Sequence, residues 1–158
     1  RSLADDPSGD ALQQRLEAAG HRLQERCQVP DDRYRIRAEV SRWIADPAVQ
    51  VMISSGGTGL TGRDGTPEAV APLLDKTMDG FGELFRMLSF ESIGTSSLQS
   101  RCLAGVANGT LIFVLPGSLD AVSTAWDRLI RAQLDAETLP CNLVQLLPRL
   151  REDPGQLA

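Results

Sequence analysis

The stretch AVQVMISSGGTGLTGRDGTPEA, residues 48–69, joins an apolar run to five glycines, one arginine and one aspartate. The run AVQVMISS is typical of a parallel strand that is covered on both faces. Five glycines in so short a loop cost conformational entropy without adding packing, which argues against a turn with no function. Between the end of a strand and the start of a helix, such a loop would expose several N–H groups to an anion.

Two nucleotide-binding motifs compete with this general interpretation. GTGLTG, residues 57–62, matches the GxGxxG pattern of dinucleotide-binding domains, but the helix signal at Thr66 and Pro67 comes after the glycines rather than on them. A P-loop requires GxxxxGK[ST], and Lys76, the only lysine of the chain, belongs to no such motif. A nicotinamide-dependent enzyme therefore remains an alternative, whereas a P-loop does not.

Asp64 places a carboxylate among amides that suit a phosphate. The two anions repel each other unless a divalent cation lies between them, and Mg²⁺ prefers one or two carboxylates together with phosphate oxygens. Asp64 is thus a candidate metal ligand and Arg63 a candidate phosphate clamp, although an ordinary turn aspartate is the alternative for Asp64. In VPDD, residues 29–32, we expect Asp31 to face the site and Asp32 to cap the next helix.

The rest of the chain alternates helical and strand patterns, which predicts an α/β domain with a mainly parallel sheet. In such sheets ligands bind beyond the carboxyl ends of the strands. That rule selects the loops VPDD, SSGGTGLTGRD and LPGS, and we expect Thr66 to cap the helix after the second loop. The apolar spacing predicts helices near 9–19, 36–44, 80–94 and 122–134 and strands at 21–29, 48–55 and 110–115.

Composition excludes several classes of protein. A net charge of −5 with scattered arginines argues against nucleic-acid binding, and no run of 18 apolar residues suggests a membrane span. Three distant cysteines and an opening, RSLADDPSGD, that does not resemble a signal peptide favour the cytoplasm. With His21 the only histidine, histidine-based catalysis has little support. We interpret residues 1–158 as one domain whose tail frays after about residue 150.

The string GGTG…RD.TPEA resembles the MoaB/Mog family of molybdenum cofactor biosynthesis proteins, and VPDDRYRI, GFGELFRMLS, LQSR and TLIFVLPGS resemble further family segments. The resemblance covers nearly the whole chain and is nearest to the MoaB branch. It implies a three-layer α/β/α molybdopterin-binding fold with a mainly parallel central sheet. Family members begin with a β-strand before the point where this sequence starts, so we expect that strand to be missing from the given chain and Asp5 and Ser8 to lie in a flexible loop at the site.

The resemblance also implies molybdopterin adenylyltransferase activity, in which the terminal phosphate of molybdopterin attacks the α-phosphorus of MgATP and pyrophosphate is released. Asp64 and Asp31 match the family's two aspartates and would act as the catalytic pair and hold Mg²⁺. Some MoaB-branch members lack one or both aspartates and are inactive, and this sequence retains both, which favours activity. The alternative is a non-catalytic molybdopterin-binding or scaffold protein. The implied substrate-binding residues are Gly56, Gly57, Thr58 and Gly59 for phosphates or the pterin, Ser89 and Ser100 for molybdopterin, and Pro116, Gly117 and Ser118 for the nucleotide.

Family members assemble as trimers or as hexamers. The segment MLSFESIG, residues 87–94, is a candidate for such a self-contact. Other molybdenum cofactor synthesis proteins are further candidate partners.

Overall fold

The computed structural model describes residues 5–152, in which a four-stranded sheet lies between two layers of helices. Each helix predicted from apolar spacing is present, with ends that differ by a few residues. The helices are α1 Pro7–Ala18, α2 Arg33–Ala45, α3 Thr66–Val70, α4 Asp79–Ile93, α5 Leu119–Ala125 and α6 Arg131–Gln133, the last two joined by a π-helical turn, Trp126–Ile130. The strands are β1 Val51–Ser55, β2 Lys76–Thr77, β3 Leu103–Ala107 and β4 Thr110–Leu115, and 3-10 helices span Ala71–Leu73, Gly94–Gln99 and Val144–Arg149.

The strands lie in the order β1-β4-β3-β2. β1 pairs parallel with β4, while β3 is antiparallel to both of its neighbours. Three of the four strands therefore point in one direction and β3 opposes them. The prediction of a three-layer α/β/α fold is confirmed, with a mixed sheet in which β2 and β3 were not foreseen.

β4 is the centre of the core because all six of its residues are buried. Its side chains alternate between the two faces of the sheet. Leu111, Phe113 and Leu115 pack with Trp126 and other side chains from α1, α4 and the π-helical turn, whereas Ile112 and Val114 pack with side chains of α2 and α3. This two-sided burial explains why the strand appears in the sequence as a continuous apolar run.

The strand expected at residues 21–29 is wrong, because this segment is irregular. Its alternation of apolar and polar residues instead matches its attachment to two helices. Arg26 pairs with Asp6 at the start of α1 at 2.9 Å, and Glu25 accepts hydrogen bonds from Arg42 and Trp43 of α2. A strand requires a partner for its backbone ladder, and no strand within residues 5–152 pairs with this segment.

β1 is one of the two edge strands of the sheet among the described residues. A cavity of about 1160 Å³ is lined by β1, by residues 21–31 and by apolar side chains of α1 and α2. The further strand expected from the resemblance stays a prediction.

The described residues leave two expectations as they were. The tail that we expected to fray after about residue 150 lies largely outside them, at residues 153–158, and the interpretation of residues 1–158 as one domain stays a prediction. Across residues 5–152, no helix combines the length and the apolar character needed to cross a membrane.

Candidate functional site

Two loops meet at the carboxyl ends of the parallel strands β1 and β4. The glycine loop, residues 56–65, follows β1, and the Pro-Gly turn, residues 116–118, follows β4. The Gly56 N–H donates to the Leu115 carbonyl at 2.9 Å, and a Cβ atom added to Gly117 would lie 3.1 Å from Gly56 Cα. The fold therefore brings together Gly56, expected at the phosphates or the pterin, and Gly117, expected on the nucleotide side.

The start of α1 lies against the Pro-Gly turn. The Ser8 hydroxyl donates to the Gly117 carbonyl at 2.9 Å, and Ser8 is buried in the first turn of α1. The expectation of a flexible loop at Ser8 is thus wrong, because the helix begins at Pro7, while Asp5 is exposed just before it. A helix amino end, which favours negative charge, is therefore next to the turn.

Gly57 is the most constrained glycine of the loop. Its φ of 65° lies in the left-handed region, and a Cβ atom would overlap the Thr66 hydroxyl. The Thr66 N–H donates to the Gly57 carbonyl at 3.0 Å, and the cap of α3 is Gly65. The prediction that Thr66 caps α3 is wrong by one residue, because Thr66 is buried and secures the loop instead.

We expect Gly57→Ala to destabilise the protein by about 1–3 kcal/mol, because the new side chain meets both an unfavourable φ and the Thr66 hydroxyl. Gly62→Ala is the matched control. No atom lies within 4 Å of its added Cβ and its φ is outside the left-handed region, so a change within about 0.5 kcal/mol is expected. Urea unfolding of the two variants measures the difference, and equal losses would contradict the assigned loop geometry.

The Asp64 carboxylate turns back into the glycine loop. Its Oδ2 accepts the Thr61 hydroxyl at 2.6 Å and the Thr61 N–H at 2.9 Å. These hydrogen bonds, hydroxyl first, lower the pKa of Asp64, to which the Gly59 N–H also contributes. Gly59 is required for space, since an added Cβ would lie 2.7 Å from Oδ2. Part of the amide cradle is thus occupied by the loop's own acid, and both Thr61 bonds are made to Oδ2 rather than to Oδ1.

The two aspartates of VPDD, Asp31 and Asp32, have different surroundings. Asp32 caps α2 by accepting the N–H groups of Tyr34 and Arg35, whereas Asp31 is exposed. Asp31 and the exposed Arg63 line the same cavity as Gly56, Gly57 and Gly117. Within residues 5–152, no three His, Cys, Asp or Glu side chains are grouped so as to hold a metal ion, so magnesium binding by Asp64 and Asp31 stays a prediction.

The predicted serines differ in what surrounds them. The Ser100 hydroxyl oxygen is buried and has no partner by hydrogen-bond geometry among the described residues, although the Cys102 thiol is near enough for Ser100 to act on the pKa of that thiol. The Ser118 hydroxyl is used as the cap of α5, where it accepts the Ala121 N–H at 3.2 Å. Ser89 is buried on α4. The Ser92 hydroxyl donates to the Ser89 carbonyl, a hydrogen bond within the same helix.

Arg101 is a site residue that sequence reasoning missed. Its side chain donates to carbonyl oxygens of the glycine loop: Nε to Gly59 at 2.9 Å and to Thr58 at 3.3 Å, and Nη2 to Asp64 at 3.0 Å. It also pairs with the Glu68 carboxylate on α3. The available signal was its place directly after Ser100 in LQSR, but arginine at one position says nothing about which distant carbonyls it reaches.

The histidine and two of the cysteines occupy structural surroundings. The edge of the His21 ring packs against Trp126, with ring centroids 5.9 Å apart. Burial, followed by the Glu39 carboxylate, raises the pKa of Cys27 to about 11, and burial also raises the pKa of Cys102. Neither thiol is therefore activated as a nucleophile.

The fold and the site define an α/β domain that presents glycine-rich backbone and an ionised aspartate at the carboxyl ends of two parallel strands. Residues 1–136 match the family model described as a probable molybdopterin binding domain. The chain belongs to this family, and the expected family resemblance is confirmed. Membership supports a role in molybdenum cofactor biosynthesis.

Named relatives agree with this membership. The chain is 56% identical over 142 residues to molybdenum cofactor biosynthesis protein B of Escherichia coli K12, which covers 90% of this chain and 84% of the relative. A crystal structure of a molybdenum cofactor biosynthesis protein B is similar with a TM-score of 0.85 at 38% identity, over 95% of this chain and 88% of the other. The tungsten cofactor synthesizing protein MoaB from Pyrococcus furiosus gives a TM-score of 0.75 at 32% identity, over 94% and 87%.

Proposed function

We propose that this protein adenylylates molybdopterin. An oxygen of the terminal phosphate of molybdopterin forms a bond to the α-phosphorus of ATP, the bond from that phosphorus to the bridging oxygen breaks, and pyrophosphate leaves. Such a transfer depends on positioning and charge neutralisation far more than on proton transfer. A site without an activated histidine, lysine or thiol suits this chemistry.

The observation that carries the proposal is the close approach of the glycine loop to the Pro-Gly turn. Gly56 donates to the Leu115 carbonyl at 2.9 Å, and a Cβ atom added to Gly117 would lie 3.1 Å from Gly56 Cα, so ligands held by the two loops would be neighbours. Ligands of open α/β sheets bind at this end of the strands. Two substrates that must exchange a nucleotidyl group require such a juxtaposition.

Each site residue has a proposed role. Asp64 and Asp31 would hold Mg²⁺, which when bound neutralises charge on the ATP phosphates. The N–H groups of Gly57 and Thr58 bind phosphate oxygens, while Gly56 and Gly59, whose N–H groups serve Leu115 and Asp64, line the same ligands. Arg63 clamps a phosphate. Ser100, whose hydroxyl oxygen is buried and has no partner by hydrogen-bond geometry among the described residues, orients the pterin phosphate. Pro116, Gly117 and the Ser118 backbone line the nucleotide side, and Ser89 supports the molybdopterin side.

The proposal is tested by incubating the protein with molybdopterin, MgATP and inorganic pyrophosphatase and measuring phosphate. We expect product that requires both substrates and is lost with a chelator. Molybdopterin binding without any pyrophosphate would instead identify a non-catalytic binding or scaffold protein. Thermal stabilisation by NAD would point to the nicotinamide alternative, although α3 begins only at Thr66, after the glycines of GTGLTG.

We also propose that the protein self-associates as a trimer or hexamer. The segment at residues 87–94 carries three exposed apolar side chains, and with Leu84 they form a stripe along α4: Leu84, Met87, Phe90 and Ile93, each about half exposed. Exposed apolar patches of this kind mark protein contacts. Sedimentation equilibrium gives the mass, and a monomer at micromolar concentration would contradict the assignment.

The free state of all three cysteines supports a reducing, cytoplasmic location.

A further inference from the structure

Arg101 connects its own segment to two earlier parts of the chain, the glycine loop and the start of α3. It lies between the 3-10 helix Gly94–Gln99 and β3, and its guanidinium contacts the carbonyls of Thr58, Gly59 and Asp64. The side chain is 28% exposed, so these hydrogen bonds are largely shielded from water. Among the side chains of residues 5–152, Arg101 is the one that donates hydrogen bonds to three carbonyl oxygens of the glycine loop.

The three carbonyls determine where three amides point. A trans peptide is planar, and its C=O and N–H groups point in opposite directions. Holding the carbonyls of Thr58, Gly59 and Asp64 toward Arg101 therefore directs the N–H groups of residues 59, 60 and 65 away from the guanidinium. Without Arg101, glycine-rich backbone has little to stop these peptides from turning a carbonyl oxygen outward, which would repel an anion.

Glu68 fixes the guanidinium from the other side. It lies in the first turn of α3 and pairs with Arg101 Nη1. Arg37 on α2 in turn donates to the Glu68 carbonyl at 3.0 Å and to the Ala69 carbonyl at 3.2 Å. The planar fork of Arg101 is thus anchored at one end while its other donors remain for the loop.

We propose that Arg101 is a positioning residue, which sets the orientation of the glycine-loop peptides so that their N–H groups, rather than their carbonyl oxygens, face a bound phosphate. The inference rests on the proposed function for its effect on turnover, whereas its effect on the loop is independent of that function. Arg101 acts through the backbone of residues 58–65 and need not touch either substrate.

Chemical rescue of Arg101→Ala tests the proposal. We expect kcat for pyrophosphate release to fall about 100-fold, the loss typical of a misplaced site. Guanidinium chloride at a non-denaturing millimolar concentration should restore at least tenfold, since it replaces the missing donors. Arg101→Lys should remain impaired because an ammonium lacks the planar fork. Arg15→Ala is the matched control, a partly buried arginine whose partners, Asp127 and the Ala11 carbonyl, are not part of the glycine loop or of α3, and it should keep wild-type kcat without any guanidinium response.

Amide hydrogen exchange gives a readout that does not depend on activity. In Arg101→Ala, peptides that contain residues 57–65 should exchange about tenfold faster, and guanidinium should reverse this, while peptides of β4 stay unchanged. Wild-type kcat and wild-type loop exchange in Arg101→Ala would overturn the inference and leave the proposed function standing. If the wild-type protein releases no pyrophosphate, the proposed function fails, and unchanged loop exchange in Arg101→Ala would separately overturn the role of Arg101.

Discussion

Asp64→Ala is expected to lower kcat for pyrophosphate release about 1000-fold, equivalent to about 4 kcal/mol of transition-state stabilisation, while molybdopterin binding stays within a few-fold of wild type. The loss has two physical sources. The variant removes the anionic ligand for a cation on the ATP phosphates, and it removes the acceptor that holds Thr61. Pyrophosphate release and molybdopterin fluorescence quenching measure the two quantities.

Two further variants separate these sources. Asp64→Asn keeps a carbonyl oxygen that accepts the Thr61 N–H but loses the negative charge, so we expect nearly the full loss of kcat. Thr61→Val removes only the 2.6 Å hydroxyl bond and should cost less than tenfold. An equal loss of binding and turnover in Asp64→Ala would instead assign Asp64 to substrate binding. Full activity of Asp64→Asn would contradict a role for its charge.

Leu111→Ala is expected to destabilise the protein by about 2–5 kcal/mol. Leu111 is fully buried on β4, where its backbone pairs with β1 on one side and β3 on the other, so the cavity left behind has no flexible neighbour to fill it. The free energy of unfolding, from urea titration, measures the loss. Leu98→Ala removes the same atoms from a side chain that is 80% exposed and should change stability by less than about 1 kcal/mol. Similar losses at the two positions would contradict the assignment of β4 as the central strand.

The sequence was sufficient to predict the helices and strands that bury a continuous apolar surface. β1 and β4 are short runs with few polar residues, and α2 and α4 carry their buried residues at helical spacing, so both kinds of element leave a clear pattern. β2 leaves none, because it consists of two exposed residues, Lys76 and Thr77, that pair only at the edge of the sheet.

β3 could have been predicted from a turn signal. Asn108 and Gly109 both have positive φ, and an Asn-Gly pair between two apolar runs is a strong indication of a hairpin. The opposite error occurred at residues 21–29, where alternation alone suggested a strand. Alternation of apolar and polar residues shows only that the two sides of a segment have different surroundings. Here Arg26 contacts the start of α1 and Glu25 contacts α2.

The site divides in a similar way. The glycine loop, Asp64 and the capping by Asp32 follow from local residue types, because strand ends and helix starts restrict where such residues are useful. The hydrogen bonds between the Asp64 carboxylate and Thr61 depend on the backbone dihedral angles of the loop, which cannot be read from the amino-acid sequence. Arg101 depends on tertiary structure, since it is 37 residues from the Asp64 carbonyl that it holds.

The central claim is that the glycine loop and the Pro-Gly turn hold a nucleotide beside a pterin. It is tested most directly by a crystal structure of the protein with molybdopterin, magnesium and a non-hydrolysable ATP analogue. The account predicts phosphate oxygens within hydrogen-bond distance of the amides of Gly57 and Thr58, the nucleotide against Gly117, and Asp64 facing the cation. Both ligands bound elsewhere, with residues 56–64 covered by a neighbouring subunit, would contradict it.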